Sequence, residues 1–89
     1  MAYKLPHKVR KDVKKIFRDK DRLNSLSDWR AVQVATVLKL FGEMEQRVII
    51  KQLKDDIRYI DINEPMSERS MKRLVSWFLF KLAVALKEI

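Results

Sequence analysis

From Leu74 to Leu86 the chain reads Leu-Val-Ser-Trp-Phe-Leu-Phe-Lys-Leu-Ala-Val-Ala-Leu, and eleven of these thirteen residues are apolar. At about 100° per residue, a helix here carries one broad apolar arc and a second apolar stripe on its far side. The arc consists of Met71, Leu74, Val75, Phe78, Leu79, Leu82 and Leu86, and the stripe consists of Trp77, Phe80 and Val84. A helix that is apolar nearly all round lies in a core, against another chain or in lipid. This one is shorter than the roughly 20 apolar residues that a bilayer requires and contains Lys81, so we expect no transmembrane segment.

Length and composition predict one globular domain spanning residues 1–89. The chain is 47% apolar and 36% charged, and its single glycine and two prolines leave few breaks. These features favour an all-α fold, a compact bundle of four helices with the hydrophobic C-terminal helix at its centre. The chain has no cysteine, which excludes disulfides and thiolate zinc sites. The N-terminus lacks the apolar segment of a secretory signal, so we expect a cytoplasmic or nucleoid- or nucleus-associated protein.

The first two helices are predicted from apolar spacing and turn residues. The first begins near Pro6, and its inner face is formed by Val9, Val13, Ile16 and Phe17. The second runs from about Ser27 to Phe41, with Ser25 or Ser27 as its N-cap and Gly42 as the residue that terminates it. Because its apolar residues are spread around the helical wheel, we expect this second helix to be substantially buried.

The third and fourth helices follow the same logic. The third is predicted from about Met44 to Ile60, with an inner face of Ile49, Ile50, Leu53, Ile57 and Ile60. Residues 61–66 form a loop, since Pro65 disfavours helix at the preceding residue. Ser67 is the expected N-cap of the last helix, and Glu68 is favourably placed in its first turn.

The distribution of charge suggests a polyanionic partner. The formal net charge is +8, and residues 1–20 hold eight basic and two acidic side chains, a net +6. The cations of the first helix lie opposite its apolar face; they are Lys8, Arg10, Lys11, Lys14, Lys15 and Arg18. Such a face can contact successive phosphates while the apolar side anchors the helix in the core. The alternative is an ordinary solvated surface that contributes only solubility.

Two further basic clusters could extend this surface. One is a stripe on the third helix, formed by Arg47, Lys51, Lys54 and Arg58. The other is Lys72 and Arg73, with Arg69, at the start of the last helix, where the hydroxyls of Ser67 and Ser70 could serve a phosphate or simply cap the helix. A less favoured hypothesis is a helix-turn-helix whose third helix enters the major groove with Gln46 and Gln52 among its reading side chains.

The function that these patterns favour is a small basic nucleic-acid-binding accessory or regulatory protein that contacts phosphates through its N-terminal helix. DNA is mildly preferred over RNA, because helices without exposed aromatic motifs suit backbone contact better than single-strand stacking. Tyr3 and Tyr59 stand in no recognisable stacking motif.

Two non-catalytic alternatives remain open. The chain could be a protein-protein interaction module or adaptor that forms a homodimer or docks through Trp77, Phe80 and Val84, with its basic helix on an acidic protein surface. Attachment of the first helix to an anionic membrane is the weaker alternative, because its apolar side is needed for the core.

Catalysis, cofactors and metals have little support in the sequence. His7, the only histidine, has no nucleophile or carboxylate motif around it. Asp55 and Asp56 are adjacent and would point about 100° apart on a helix. Asp61, Asn63 and Glu64 lack the spacing of a calcium loop, and one glycine cannot make a phosphate-cradling loop. We therefore expect a protein that is not an enzyme and binds no cofactor.

Overall fold

The last helix, α4 (Glu68–Ala85), organises the packing in the computed structural model, which describes residues 5–18 and 29–87. The other described helices are α1 (His7–Arg18), α2 (Trp29–Lys39) and α3 (Glu43–Leu53), followed by a 3-10 turn at Tyr59–Asp61. All of these elements pack on α4, and α1 also packs on α3. The prediction of an all-α bundle with a central C-terminal helix is confirmed.

The core is built on the predicted arc of α4. All seven of its residues are buried, as are Val13 and Phe17 of α1. The Phe78 ring makes edge contacts with Phe17, at 5.2 Å between centroids, and with Phe41, at 5.8 Å. Aromatic pairs in this geometry add stability beyond the apolar area they bury. Phe78 therefore joins α1 and the end of α2 to the central helix.

The expectation that the second helix is buried on most sides is wrong. Val34, Val37 and Leu38 face the core, whereas Trp29 and Val32 are 47% and 59% exposed. The spread of apolar residues around the wheel therefore reflects exposed apolar side chains, which are common on protein surfaces. The predicted caps at Ser25 and Ser27 lie outside the described residues.

Gly42 has a different role from the one predicted. Its φ of −66° is not left-handed, and it is the N-cap of α3 rather than the terminator of α2. Its N–H donates to the Glu45 side chain at 2.9 Å, which is the half of a capping box that a residue without a side chain can make.

The third helix ends at Leu53, so its predicted continuation to Ile60 is wrong. Asp56 has a φ of 56°, and the Ile57 N–H donates to the Lys51 carbonyl at 2.9 Å. A left-handed residue followed by such a back-reaching hydrogen bond is typical of a helix C-terminus. Ile60 consequently lies in the 3-10 turn and is 77% exposed, while Ile62 takes a place in the core.

The start of α4 agrees with the sequence. Ser67 is its N-cap, and the Ser67 hydroxyl oxygen accepts a hydrogen bond from the Ser70 N–H at 3.2 Å. Among the helices of residues 5–18 and 29–87, α4 included, none has the length and apolar character needed to cross a membrane.

Candidate nucleic-acid interface

The cations of α1 divide into two rows according to what surrounds them. The first, here called the outer row, consists of Lys8, Lys11 and Lys15, which are all exposed. On the helical wheel they span about 60° and point away from Val13 and Phe17, which are fully buried. No ion pair joins the outer row to a carboxylate of residues 5–18 or 29–87. This row presents three amines to solvent on a helix fixed by its opposite face.

The second row, here called the edge row, runs along the side of α1 and consists of Arg10, Lys14 and Arg18. Arg18 Nε donates to the Leu53 carbonyl at 2.7 Å, and its guanidinium lies 3.4 Å from the Asp56 carboxylate. A cation at a helix C-terminus satisfies a carbonyl that has no partner within the helix. Arg18 therefore stabilises the C-terminal end of α3, although its side chain remains exposed. It differs in this respect from the outer row, whose lysines form no ion pair within the described residues.

Lys14 lies in an electrostatically unfavourable position. Burial lowers its pKa, and repulsion from Arg10 and Arg18 lowers the pKa further, against the smaller opposing effect of Asp56. Neighbouring cations disfavour the charged form of a lysine, whereas an anion favours it. A phosphate close to the edge row would therefore relieve a repulsion that is present in the folded protein.

Tyr59 connects the edge row to the start of α4. The Lys72 Nζ lies 5.9 Å from the centroid of the Tyr59 ring, a cation–π distance. Burial raises the pKa of the Tyr59 phenol, and the charge of Arg10 opposes that rise. The charges of Arg10 and Lys72 thus both act on one half-buried ring, although the two residues are far apart in the sequence. Tyr59 stands in no recognisable motif in the sequence, because no pattern of adjacent residues indicates its interactions with Lys72 and Arg10.

The predicted stripe on the third helix is mostly occupied by intramolecular contacts. Glu64 accepts hydrogen bonds from Arg47 Nε at 3.1 Å and Nη2 at 3.2 Å, and from Lys51 Nζ at 2.8 Å. Arg58 lies beyond the end of α3 and pairs with Asp61 at 3.0 Å. Lys54 also has an intramolecular interaction. These four cations form no continuous charged row.

The side chains that a helix-turn-helix would need are held in the same way. The Gln46 side-chain amide donates to the Phe41 carbonyl at 2.9 Å, and that of Gln52 donates to the Ile57 carbonyl at 3.5 Å. Arg47 and Lys51 likewise donate hydrogen bonds to Glu64. All four side chains therefore attach α3 to the segments on either side of it. The geometry gives no support to base reading by this helix.

Glu64 should make stability depend on pH in the acidic range. Hydrogen bonds from Arg47 and then Lys51 lower the pKa of the Glu64 carboxyl from 4.5 to about 2. Because the folded-state pKa is depressed, this stabilisation is complete above about pH 5 and is lost as the pH falls towards 2. We expect Glu64→Gln to be less stable than the parent at pH 7 and to show a smaller loss of stability between pH 5 and pH 2, measured by urea unfolding. Identical pH profiles for the two proteins would contradict this assignment.

The start of α4 carries three further exposed cations. Arg69, Lys72 and Arg73 are exposed, and no ion pair joins them to the carboxylates of the described segments. The neighbouring serines serve the helix itself, since Ser67 caps it and donates its hydroxyl to that of Ser70 at 3.0 Å.

The predicted partner stripe lies at the surface of α4. Trp77 and Val84 are 37% and 51% exposed, and Phe80 is half-buried. Trp77 also contacts the Phe41 ring edge-on at 5.2 Å, and the Lys81 Nζ lies 5.5 Å from its ring centroid. The stripe is therefore anchored on one side and exposed on the other.

Comparisons with known proteins add no functional assignment. No protein-family model, curated protein or solved structure matches this chain. Within residues 5–18 and 29–87 there is also no group of three or more His, Cys, Asp or Glu side chains that could hold a metal ion.

Proposed function

We propose that this protein binds the phosphate backbone of nucleic acid through α1. The observation that supports this most directly is a contrast between two sets of cations. Arg18, Arg47, Lys51 and Arg58 form intramolecular ion pairs, whereas the outer row of α1 has no such partner within the described residues. Asp12, the one acidic residue of α1, lies four residues after Lys8 and is exposed, yet it forms no ion pair with the outer row, so these three charges are not neutralised within the described residues.

The edge row and α4 extend this surface beyond one helix face. Arg10 and Lys14 follow the outer row along the side of α1, and Lys72 lies over the Tyr59 ring, whose phenol also experiences the charge of Arg10. Contacts from five or six such cations give an affinity that depends mainly on counterion release. These contacts set the position and orientation of a protein on nucleic acid but do not read base sequence. Duplex DNA is the preferred ligand, because the surface offers a row of amines on a helix rather than exposed stacking rings.

The test is fluorescence anisotropy with a labelled duplex of about 20 base pairs, the matching single strand and a structured RNA. We expect the duplex to bind at physiological salt and log K to fall with log salt with a slope of about −5. A shallower slope would mean fewer phosphate contacts than the proposal requires. Absence of binding to all three ligands at physiological salt would contradict the proposal.

A second candidate function, docking onto a protein, is favoured by the exposure of Trp77 and Val84. Attachment of α1 to a membrane is disfavoured, because Val13 and Phe17 are fully buried and the apolar side of α1 is already used in the core.

A further inference from the structure

The outward side of α4 combines an apolar stripe with a basic border. Trp77, Phe80 and Val84 fall within an arc of about 60° on the helical wheel. Trp77 and Val84 keep 37% and 51% of their surface exposed in the folded chain. Three apolar side chains at i, i+3 and i+7 are the pattern by which one helix face recognises another.

The charged residues of α4 after its first residue, and of the turn that follows as far as Lys87, are all basic. From Arg69 to Lys87 the sequence has five basic residues and neither Asp nor Glu. Arg73 lies four residues before Trp77 and points in the direction of the stripe itself, with Lys81 on one flank, while Lys87 follows the end of the helix with a φ of 59°. Arg73 and Lys87 are exposed, and the Lys81 Nζ lies over the Trp77 ring at 5.5 Å.

This charge pattern disfavours a second copy of the chain as the occupant. In a parallel two-fold pairing of α4 stripes, Arg73 and Lys81 would each face their own counterparts. In an antiparallel pairing centred on Phe80, Arg73 would approach the C-terminal end of the partner's α4, where Lys87 is the next described charged residue. Within Arg69 to Lys87 neither arrangement brings a carboxylate to these cations, and like charges brought together in an interface are unfavourable.

We propose that the α4 stripe, Trp77, Phe80 and Val84, is a docking site for an acidic amphipathic helix of another protein. The apolar residues of that helix pack on the stripe, and its carboxylates pair with Arg73 and Lys81. This inference rests on the second candidate function, docking onto a protein, and names the chemistry of the partner; it does not depend on nucleic-acid binding by α1. A bilayer suits the surface less well, because the Trp77 ring is held edge-on against Phe41 and lies beneath Lys81.

The probe is a pair of labelled helical peptides with the same leucine stripe, one flanked by glutamates and the other by lysines. We expect the 89-residue chain to bind the glutamate peptide at least about tenfold more tightly, with an affinity that falls as salt is added. Val84→Glu should weaken this binding at least about tenfold, since it places a charge in a desolvated contact. Ile60→Glu is the matched control, because it makes the same change at a side chain 77% exposed outside the stripe and should leave binding unchanged.

Two more variants separate this proposal from general charge attraction and from the α1 hypothesis. Arg73→Glu should weaken binding of the glutamate peptide and improve that of the lysine peptide. The triple variant Lys8→Gln, Lys11→Gln and Lys15→Gln should keep peptide binding even where it loses nucleic-acid binding. Circular dichroism of every variant checks that α4 is intact.

Four results would overturn the docking proposal. The first is equal or absent binding of the two peptides. The second is peptide binding that the α1 triple variant abolishes and Val84→Glu does not. The third is a dimer, measured by light scattering, that Val84→Glu disrupts, which would assign the stripe to a second copy. The fourth is binding to phosphatidylglycerol vesicles, but not to the glutamate peptide, that requires Val84.

Discussion

Simultaneous replacement of Lys8, Lys11 and Lys15 by glutamine is expected to weaken nucleic-acid binding by about 30- to 300-fold near 0.1 M salt. The physical reason is counterion release: three lost phosphate contacts reduce the steepness of the log K against log salt plot by about 3. The three side chains are exposed and make no ion pair within the described segments, so their replacement should change the free energy of unfolding little. Anisotropy titrations at several salt concentrations measure the first effect, and urea unfolding measures the second.

The outer row is the better target for substitution because Arg18, in the edge row, also has a structural contact. A triple that included Arg18 would remove the hydrogen bond to the Leu53 carbonyl and would mix a loss of stability with a loss of binding. A suitable control is Lys39→Gln with Lys87→Gln, which removes exposed positive charge elsewhere. If this control weakens binding as much per charge as the outer-row variant does, net charge alone drives association and the α1 proposal is wrong.

Phe78→Ala should be the most damaging single substitution in the core, with a loss of about 3–5 kcal/mol in the free energy of unfolding. Phe78 is fully buried and makes edge contacts with Phe17 and Phe41, so its removal leaves a cavity where α1, α2 and α4 meet. A domain of this size has a total stability of only about 5–10 kcal/mol. Phe78→Ala should therefore remove a large share of the stability and lower the midpoint of thermal unfolding, as measured by urea and thermal unfolding.

Val84→Ala provides the comparison within the same helix. Its side chain is 51% exposed, so the same kind of truncation should change stability by about 0.5 kcal/mol or less. A loss below about 1.5 kcal/mol for Phe78→Ala would mean that the three rings do not form the centre of the core.

The parts of the fold that the sequence predicts are those determined by local periodicity. Every residue of the α4 arc is buried, and Val13 and Phe17 are buried on α1, because a 3.6-residue repeat specifies a face without reference to the rest of the chain. Ser67 was predicted as the N-cap of α4 for a similar reason, since a cap depends on a few adjacent residues.

The parts that the sequence missed depend on distant residues or on single backbone angles. The isoleucine spacing continues past Leu53, but Asp56 adopts a left-handed conformation and the helix ends. The partner of Arg47 and Lys51 is Glu64, which lies 17 and 13 residues further along the chain. Neither periodicity nor local charge indicates such a pairing. Two cations of the predicted basic stripe therefore hold the loop that contains Glu64 against α3.

The hydrogen bond from Arg18 Nε to the Leu53 carbonyl bears on the entropy of association. It ties the last residue of α1 to the last residue of α3, while Val13 and Phe17 hold the helix from beneath. Many basic segments fold only when they meet a polyanion, and the ordering cost reduces their affinity. Because α1 is already formed and anchored in the folded chain, the association that we propose would restrict only the lysine side chains and not the backbone that carries them.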